Sequence, residues 1–330
     1  MAPPIAPREL LKAIFDGVAP SRPLFLPVVF SRAARIENLP LRMFLSNPTK
    51  ITQALRQLRV HLRSDAMTCY FDPYLEIEAL GAKLDWESRD ESVVRWAGDP
   101  IPGELPAGLG AVDEIATRGR IPVAVEAIRR LKATVREEVL LTVGISGPVR
   151  LAAQLAQAER NSAGRAIPAA ALELASEAIA PVAGAFVEAG ANVVLINEDL
   201  NWAAPGSPDL ASLLATTINI VRFYQAMPVL LLNPASPHRN PVPPDCVVCP
   251  TLPETAPRLP EEILEAAPAT VGMAIPANAI SAGLPGVETF VEEFRRLNPG
   301  FHPAVITTAG DVPDTADLKN WNRLRDLLSA

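Results

Sequence analysis

The segment Asn192–Asn197, NVVLIN, lies between FVEAGA and the polar tip EDLNW. It is short, rich in branched aliphatic residues and almost free of polar side chains, so it reads as a strand buried on both faces. Runs of the same kind recur at VLLTVG (Val139–Gly144), PVLLLN (Pro228–Asn233), DCVVCP (Asp245–Pro250), TVGMAI (Thr270–Ile275) and AVITT (Ala304–Thr308). Upstream, LFLPVVF (Leu24–Phe30) and AMTCYF, which ends at Asp72, complete the set. Helical segments separate most of them, at Thr49–Arg63, Val123–Glu137, Ala169–Ala189, Pro208–Gln225, Glu261–Ala266, Val287–Leu297 and Leu318–Leu328. Eight doubly buried strands alternating with helices in 330 residues fit a closed (β/α)8 TIM barrel of the α/β class. A doubly wound open sheet is the competing arrangement, but no glycine-rich fingerprint follows the first strand.

Two segments stand outside this alternation. Residues 1–20 read as an N-terminal amphipathic arm, with Leu10, Leu11, Ile14 and Phe15 at helical spacing. Between residues 83 and 99, KLDWES and SVVRWAGD alternate apolar and polar, which predicts a small hairpin insertion after the second strand. No repeat or linker divides the chain, so residues 1–330 are expected to form a single domain.

Bulk composition narrows the function classes. The 30 basic and 37 acidic residues give a net charge of -7, which offers no electrostatic footprint for nucleic acid or an anionic membrane and suits a small-molecule substrate. Three cysteines point to a reducing compartment rather than a disulfide framework. The N-terminus lacks the apolar stretch of a signal peptide, and no apolar run reaches the roughly 20 residues of a membrane span, so a cytoplasmic protein is expected. The 34 prolines punctuate strand and loop ends, as in RPLFLPVVF and PVPPDCVVCP.

In such barrels the chemistry sits at the carboxyl ends of the strands. That rule selects Arg32 and Arg35, then Asp72 and Tyr74, then Ser146 and Arg150, then Asn197, Glu198, Asp199, Asn201 and Trp202. Later strand ends add Asn233, His238, Arg239, Cys249, Thr251, Asn278, Thr307, Thr308 and Asp311. Asp72 is a candidate acid/base or charge-stabilising group, with capping of the following helix as the structural alternative. In CYFDPYLEIEALGAKLDW (Cys69–Trp86), Gly81 supplies the stop for that helix. Arg32 and Arg35 can clamp a carboxylate or form a solvated pair. Glu198 and Asp199 can split their pKa values as a carboxylate pair or cap a helix. GISG (Gly144–Gly147) can form an anion-binding turn, or its glycines can serve close packing. Cys246 and Cys249 form a CxxC within an apolar strand, where the spacing sends the thiols to opposite faces. His61 and His302 read as packing or surface residues, and His238 lies on a proline-rich loop without a nearby cysteine.

The chain resembles the uroporphyrinogen decarboxylase superfamily, which holds decarboxylases and corrinoid or thiol methyltransferases. FDPYLEIEALGA is similar to that family's FSDIL...ALG segment, with the same gap from aspartate to glycine. TVGISGPVRLAAQL is similar to its glycine–proline loop, FVEAGANVVLINEDLNWAAPGSP to its "eaGAd" strand, and VITTAGDVPDTADLKNWNRL to its C-terminal element. The resemblance implies a barrel, a homodimer and, for Asp72, stabilisation of a cationic intermediate. The departures are as specific. Ala309 stands where decarboxylases carry a GHG histidine, Gln154 where they carry a tyrosine, and the arginine pair is RxxR instead of RxxxR. The methyltransferase branch holds zinc with an HxC pair and a later cysteine; here Leu232 and Pro234 occupy the HxC positions and Gly310 lies near the later one.

The expected activity is therefore lyase or decarboxylase-type acid/base chemistry on a small anionic or aromatic substrate. Asp72 and Glu198 are the expected catalytic residues. Arg32, Arg35, Tyr74, Ser146, Asn197, Asn233 and His238 are the expected substrate-binding residues, with no metal or cofactor. The alternatives are a methyltransferase working with a corrinoid protein or folate, and a barrel that binds a ligand without turning it over.

Overall fold

The structure is a computed structural model that describes residues 5–86, 92–95, 105–106, 108–135, 137–156, 167–199, 209–232, 245–259, 270–313 and 316–329. Its first half contains helix α1 (Pro7–Phe15), strand β1 (Leu24–Leu26), helices α2 (Ser31–Ile36), α3 (Leu41–Leu45) and α4 (Pro48–His61), strand β2 (Ala66–Tyr70) and helix α5 (Leu75–Ala79). Strands β3 (Lys83–Trp86) and β4 (Ser92–Arg95), a 3-10 turn (Ile115–Thr117), α6 (Ile121–Val135), β5 (Leu140–Ser146) and α7 (Pro148–Leu155) follow. The rest comprises α8 (Ala169–Ala189), β6 (Val193–Glu198), α9 (Leu210–Phe223), β7 (Met227–Leu232), β8 (Val247–Pro250), β9 (Met273–Ile275), α10 (Ala277–Ser281), α11 (Gly283–Leu297), β10 (Val305–Thr308) and α12 (Leu318–Leu328).

The strands form two parallel sheets, β2-β5-β6-β7-β8 and β1-β10-β9. Parallel bridges Val248–Val271 and Thr251–Ala274 join β8 to the β9 segment. At the other seam, the Asp65 N–H donates to the Phe25 carbonyl at 3.1 Å and the Phe25 N–H to the Asp65 carboxylate at 2.9 Å. The eight strands thus follow one another around a (β/α)8 barrel, as the apolar runs predict. Strand β1 is shorter than LFLPVVF suggests because Pro27 has no N–H to donate. Beyond it, hydroxyls stand in for the ladder: Thr68 Oγ1 donates to the Pro27 carbonyl and the Val28 N–H donates to Thr308 Oγ1, both at 3.0 Å.

Alternation along each strand separates two apolar layers. Leu24, Leu26, Leu140, Val193, Leu195, Val229, Leu231, Cys249 and Val305 fill the barrel interior, while Phe25, Cys69, Val143, Val194, Ile196 and Leu230 face the surrounding helices. Cys246 belongs to the outer layer and Cys249 to the inner, so the CxxC thiols point apart. The N-terminal arm folds as α1, whose Leu10, Leu11 and Ile14 join the interior layer. It covers the N-terminal mouth of the barrel: Arg8 pairs with Glu137 ahead of β5, Arg22 reaches the Ile5 carbonyl ahead of β1, and Arg222 ahead of β7 stacks over Phe15. Helix α8 is long and apolar enough to cross a membrane by composition, yet one side is sunk in the outer core through Ala175, Ile179, Val182, Ala183 and Phe186.

The expected hairpin is present as β3 paired antiparallel with β4, Lys83 opposite Arg95 and Trp86 opposite Ser92. It belongs to a long excursion between β2 and α6 at the C-terminal mouth. Gly81 ends α5 at φ 113°, a conformation open to glycine, and its Cα faces the Gly108 carbonyl of the same excursion closely enough that a Cβ would meet it at 3.0 Å. The expected helix Glu261–Ala266 lies outside the described residues. Helices α2, α3, α7 and α10 do not appear among the sequence-based helices; each is short, and three of them open directly at a strand exit or a proline.

Candidate functional site

The excursion after β2 brings Asp72, Glu76 and Glu78 to the C-terminal mouth and ends at Arg120. Asp72, 8% exposed, turns back on its own chain: Oδ1 accepts the Tyr74 N–H at 2.9 Å, an Asx-type turn that starts α5. Its other oxygen accepts from Arg120 Nη1, and Arg120 Nε donates to Glu78 Oε2 at 2.7 Å. Arg120 heads α6 and is 7% exposed. Burial opposes its charge, but the negative fields of Asp72 and Glu78 outweigh that and hold it firmly protonated. Its Nη2 has no hydrogen-bond partner among the described residues.

The GISG turn at the end of β5 and the start of the helix that follows it each hold one of the chain's own carboxyl groups. Ser146 donates its N–H to Glu76 Oε1 at 3.1 Å and its hydroxyl to Glu76 Oε2 at 2.9 Å. Glu198, at the end of β6, accepts the Val149 N–H at 3.0 Å and the N–H groups of Arg150 and Asp199 at 2.8 Å each. A carboxylate is thereby seated on the N-terminus of α7, where unpaired N–H groups and the helix dipole favour negative charge. Gly147 is glycine because a Cβ there would lie 2.4 Å from Glu198 Oε2; at Gly144 it would lie 2.3 Å from the Phe71 ring. Glu76 and Glu198 are 0% and 1% exposed, and burial pushes each carboxyl up to about 7 against the N–H groups that pull it down; for Glu76 the Asp72 charge adds to the rise.

Between these groups lies a small crevice lined by Phe71, Asp72, Ser146, Arg150 and Asn197, with Gly144 beneath the phenyl ring. The structure therefore brings together Asp72, Ser146, Arg150 and Asn197 from the sequence-based set, with Glu198 packed behind the turn. Tyr74 opens α5 and packs its ring on the outer core. Arg32 donates to the Ala316 carbonyl and Arg35 is exposed on α2, so neither lines the crevice. Asp311 caps α2, accepting the N–H groups of Phe30 and Ser31 at 2.8 and 2.7 Å. Asn233, His238, Arg239, Asn201 and Trp202 lie outside the described residues. Sequence reasoning missed Glu76, Phe71 and Arg120. Glu76 was findable: LEIEALG flanks it with Leu75, Ile77 and Leu80, an apolar surround that a solvent-facing glutamate does not need.

A zinc–thiolate set does not fit this chain. Leu232 and Pro234 cannot ligate a metal, and Gly310 offers no thiolate. Cys69 and Cys249 are buried in strands and Cys246 is buried just ahead of β8, and desolvation raises all three thiols, that of Cys246 to about 12. Among the described residues no three His, Cys, Asp or Glu side chains are grouped to hold a metal.

The family profile of uroporphyrinogen decarboxylase (URO-D) matches residues 6–215. A curated relative, the methylcobamide:CoM methyltransferase MtaA of Methanosarcina barkeri, is 31% identical over 141 residues, 41% of this chain and 39% of the relative; the strain Fusaro protein matches equally. The chain thus spans less than half the length of the curated relatives it matches. A solved structure titled as a methyltransferase from Methanosarcina mazei superposes with a TM-score of 0.67 over 98% of both chains at 16% identity, a likeness of fold. The first four barrel strands, the β2 excursion and the turn after β5 lie within the matched span, which covers more than half of the chain, and the chain belongs to the uroporphyrinogen decarboxylase family.

Proposed function

We propose that this chain catalyses methyl transfer involving a methylcobamide-type substrate at the C-terminal mouth of its barrel, the donor being presented by a corrinoid protein. The likeness to a methylcobamide:CoM methyltransferase and to a methyltransferase fold supports this reading over the lyase activity expected from sequence. The observation that carries it is the use of positive charge at the mouth. A substrate with many carboxylates needs cations that converge on it. Here Arg120 is shared between Asp72 and Glu78, Arg32 is tied to the Ala316 carbonyl, Arg35 is exposed, and among the described residues Arg150 is the single arginine that lines the crevice, so cations do not converge on it. Asp72, Glu76, Glu78 and Glu198 give this side of the mouth an acidic character that disfavours a polyanion.

The chemistry suits what the crevice contains. A methyl group leaves cobalt without its bonding electrons and joins an acceptor X–H, whose proton passes to a base. Asp72, Ser146 and Asn197 are placed to meet the acceptor, and a carboxyl poised near neutrality can take the proton. No step here passes through zinc. That missing ligand set favours a second reading, a barrel that binds a corrinoid without turnover.

Anaerobic incubation of the protein with methylcobalamin and coenzyme M, followed by visible spectroscopy and mass spectrometry, separates the readings. Methyl transfer predicts protein-dependent loss of the methylcobalamin spectrum and formation of the thioether. Binding alone predicts a spectral shift without Co–C cleavage. Release of CO2 from uroporphyrinogen with methylcobalamin untouched would overturn the proposal.

A further inference from the structure

We propose that Glu76 is the proton-holding residue of this mouth and acts on the crevice through the hydroxyl of Ser146. The inference rests on the reading that the chemistry takes place at this mouth. Of the three buried acids here, two are committed by geometry. Glu198 accepts three backbone N–H groups as the cap of α7, and Asp72 is held by Arg120 and the Tyr74 N–H. Glu76 differs: one oxygen accepts the Ser146 N–H, which fixes the carboxyl, and the other accepts the Ser146 hydroxyl at 2.9 Å. Ser146 lines the crevice; Glu76 is fully buried behind it. The hydroxyl is therefore a two-sided group, with a carboxylate at its back and the ligand space in front.

The proton balance closes. As an acceptor X–H gives its proton to Ser146 Oγ, the original hydroxyl proton moves to Glu76 Oε2. The X–H bond and one Oγ–H bond break, a new Oγ–H and a carboxyl O–H form, and the negative charge moves from Glu76 to X. The reverse transfer returns a proton to a product.

The surroundings tune the carboxyl for this. Charged groups on the elements packed around α5 include Arg120 at the head of α6, Arg150 on α7 and Arg118 beside the 3-10 turn. Arg120 is paired with Asp72 and Glu78, and Arg118 with Glu114. On α8, Glu173, Glu177 and Glu188 are exposed. The charge that reaches Glu76 is that of Asp72, which together with burial favours its neutral form.

The test compares Glu76→Gln, Ser146→Ala and Ser146→Thr in the methylcobalamin assay across pH 5–9, with thermal melting to establish that each folds. A relay predicts that the first two lose about 100-fold or more in kcat and lose the acid limb of the wild-type pH profile, while Ser146→Thr, which keeps a hydroxyl, recovers most of the rate. Within threefold activity and an unchanged acid limb in Glu76→Gln would overturn it. A second measurement stands apart from turnover: 13C NMR of Cδ-labelled glutamate, with Glu76 assigned by its Gln variant. The relay requires Glu76 to titrate near neutrality and Ser146→Ala to move that titration. A carboxyl that stays ionised below pH 5, or protonated above pH 9, overturns the relay even if methyl transfer is found; absence of methyl transfer with a neutral titration overturns the functional reading and leaves the proton-holding dyad standing.

Discussion

Strand β2 carries an aspartate beyond each end, and the two are used differently. At the N-terminal end Asp65, 4% exposed, holds Arg22 through both oxygens at 2.7 and 2.8 Å and also accepts the Phe25 N–H. Acids and donors are matched there, the seam between β1 and β2 is closed, and α1 lies across the mouth. At the C-terminal end Asp72 shares a single arginine with Glu78, and two further buried carboxyls, Glu76 and Glu198, crowd onto the adjoining turn. One end satisfies its charges and stabilises the barrel. Among the described residues the other gathers more carboxyl groups than cations, which costs stability and produces perturbed groups of the kind found at functional sites.

The largest predicted effect breaks the stabilising end. Asp65→Ala removes a bidentate ion pair and leaves the N–H of fully buried Phe25 without an acceptor. A loss of about 3–5 kcal/mol is expected, read from the urea midpoint with little change in slope. A loss under about 1 kcal/mol would mean that the seam closes without this pair.

The next effect sharpens the contrast through pH. Glu76 and Glu198 rise from 4.5 to about 7 on folding, so the folded state holds their protons more tightly than the unfolded chain. Their contribution is undiminished below pH 4.5, falls as pH rises toward 7, and is fully lost above it, on the order of 3 kcal/mol per carboxyl. Glu76→Gln removes one of these terms. The variant is expected to gain on wild type by about that amount between pH 4.5 and 8, measured as the difference between urea midpoints. Parallel stability curves would show that Glu76 is not protonated on folding.

How much of this was legible follows from what each feature depends on. The barrel depends on local pattern: NVVLIN and its counterparts are short, doubly buried runs, and burial on both faces leaves a parallel sheet as the solution. Asp72, Ser146 and Asn197 follow from the rule of strand ends, and all three line the crevice. Arg120 is separated from Asp72 by the whole excursion, so no spacing in the sequence announces that they pair. Glu198 lies at a strand end as expected, yet its carboxylate caps the helix that follows the neighbouring strand, a partnership set by barrel adjacency. Arg32 is a similar case, since the Ala316 carbonyl it engages belongs to the far end of the chain.

The smallest stability effect is expected at Asp72, and it tests the contrast most directly. In Asp72→Asn the amide oxygen still accepts the Tyr74 N–H, so the turn into α5 is kept. Arg120 loses one carboxylate but keeps Glu78 at 2.7 Å, so its charge is not stranded as it would be if both acids were removed. A cost of about 1–3 kcal/mol follows, below that of Asp65→Ala. Activity should order the two positions the other way. Asp72→Asn removes the charge that faces the crevice and raises Glu76, so methyl transfer should fall by at least tenfold, with the acid limb of its pH profile moved to lower pH by the lost repulsion. Asp65→Asn, at the opposite mouth, should leave kcat within about twofold at temperatures where the variant remains folded. Equal losses of activity at the two positions would show that Asp72, like Asp65, holds the barrel together and takes no part in what happens at its mouth.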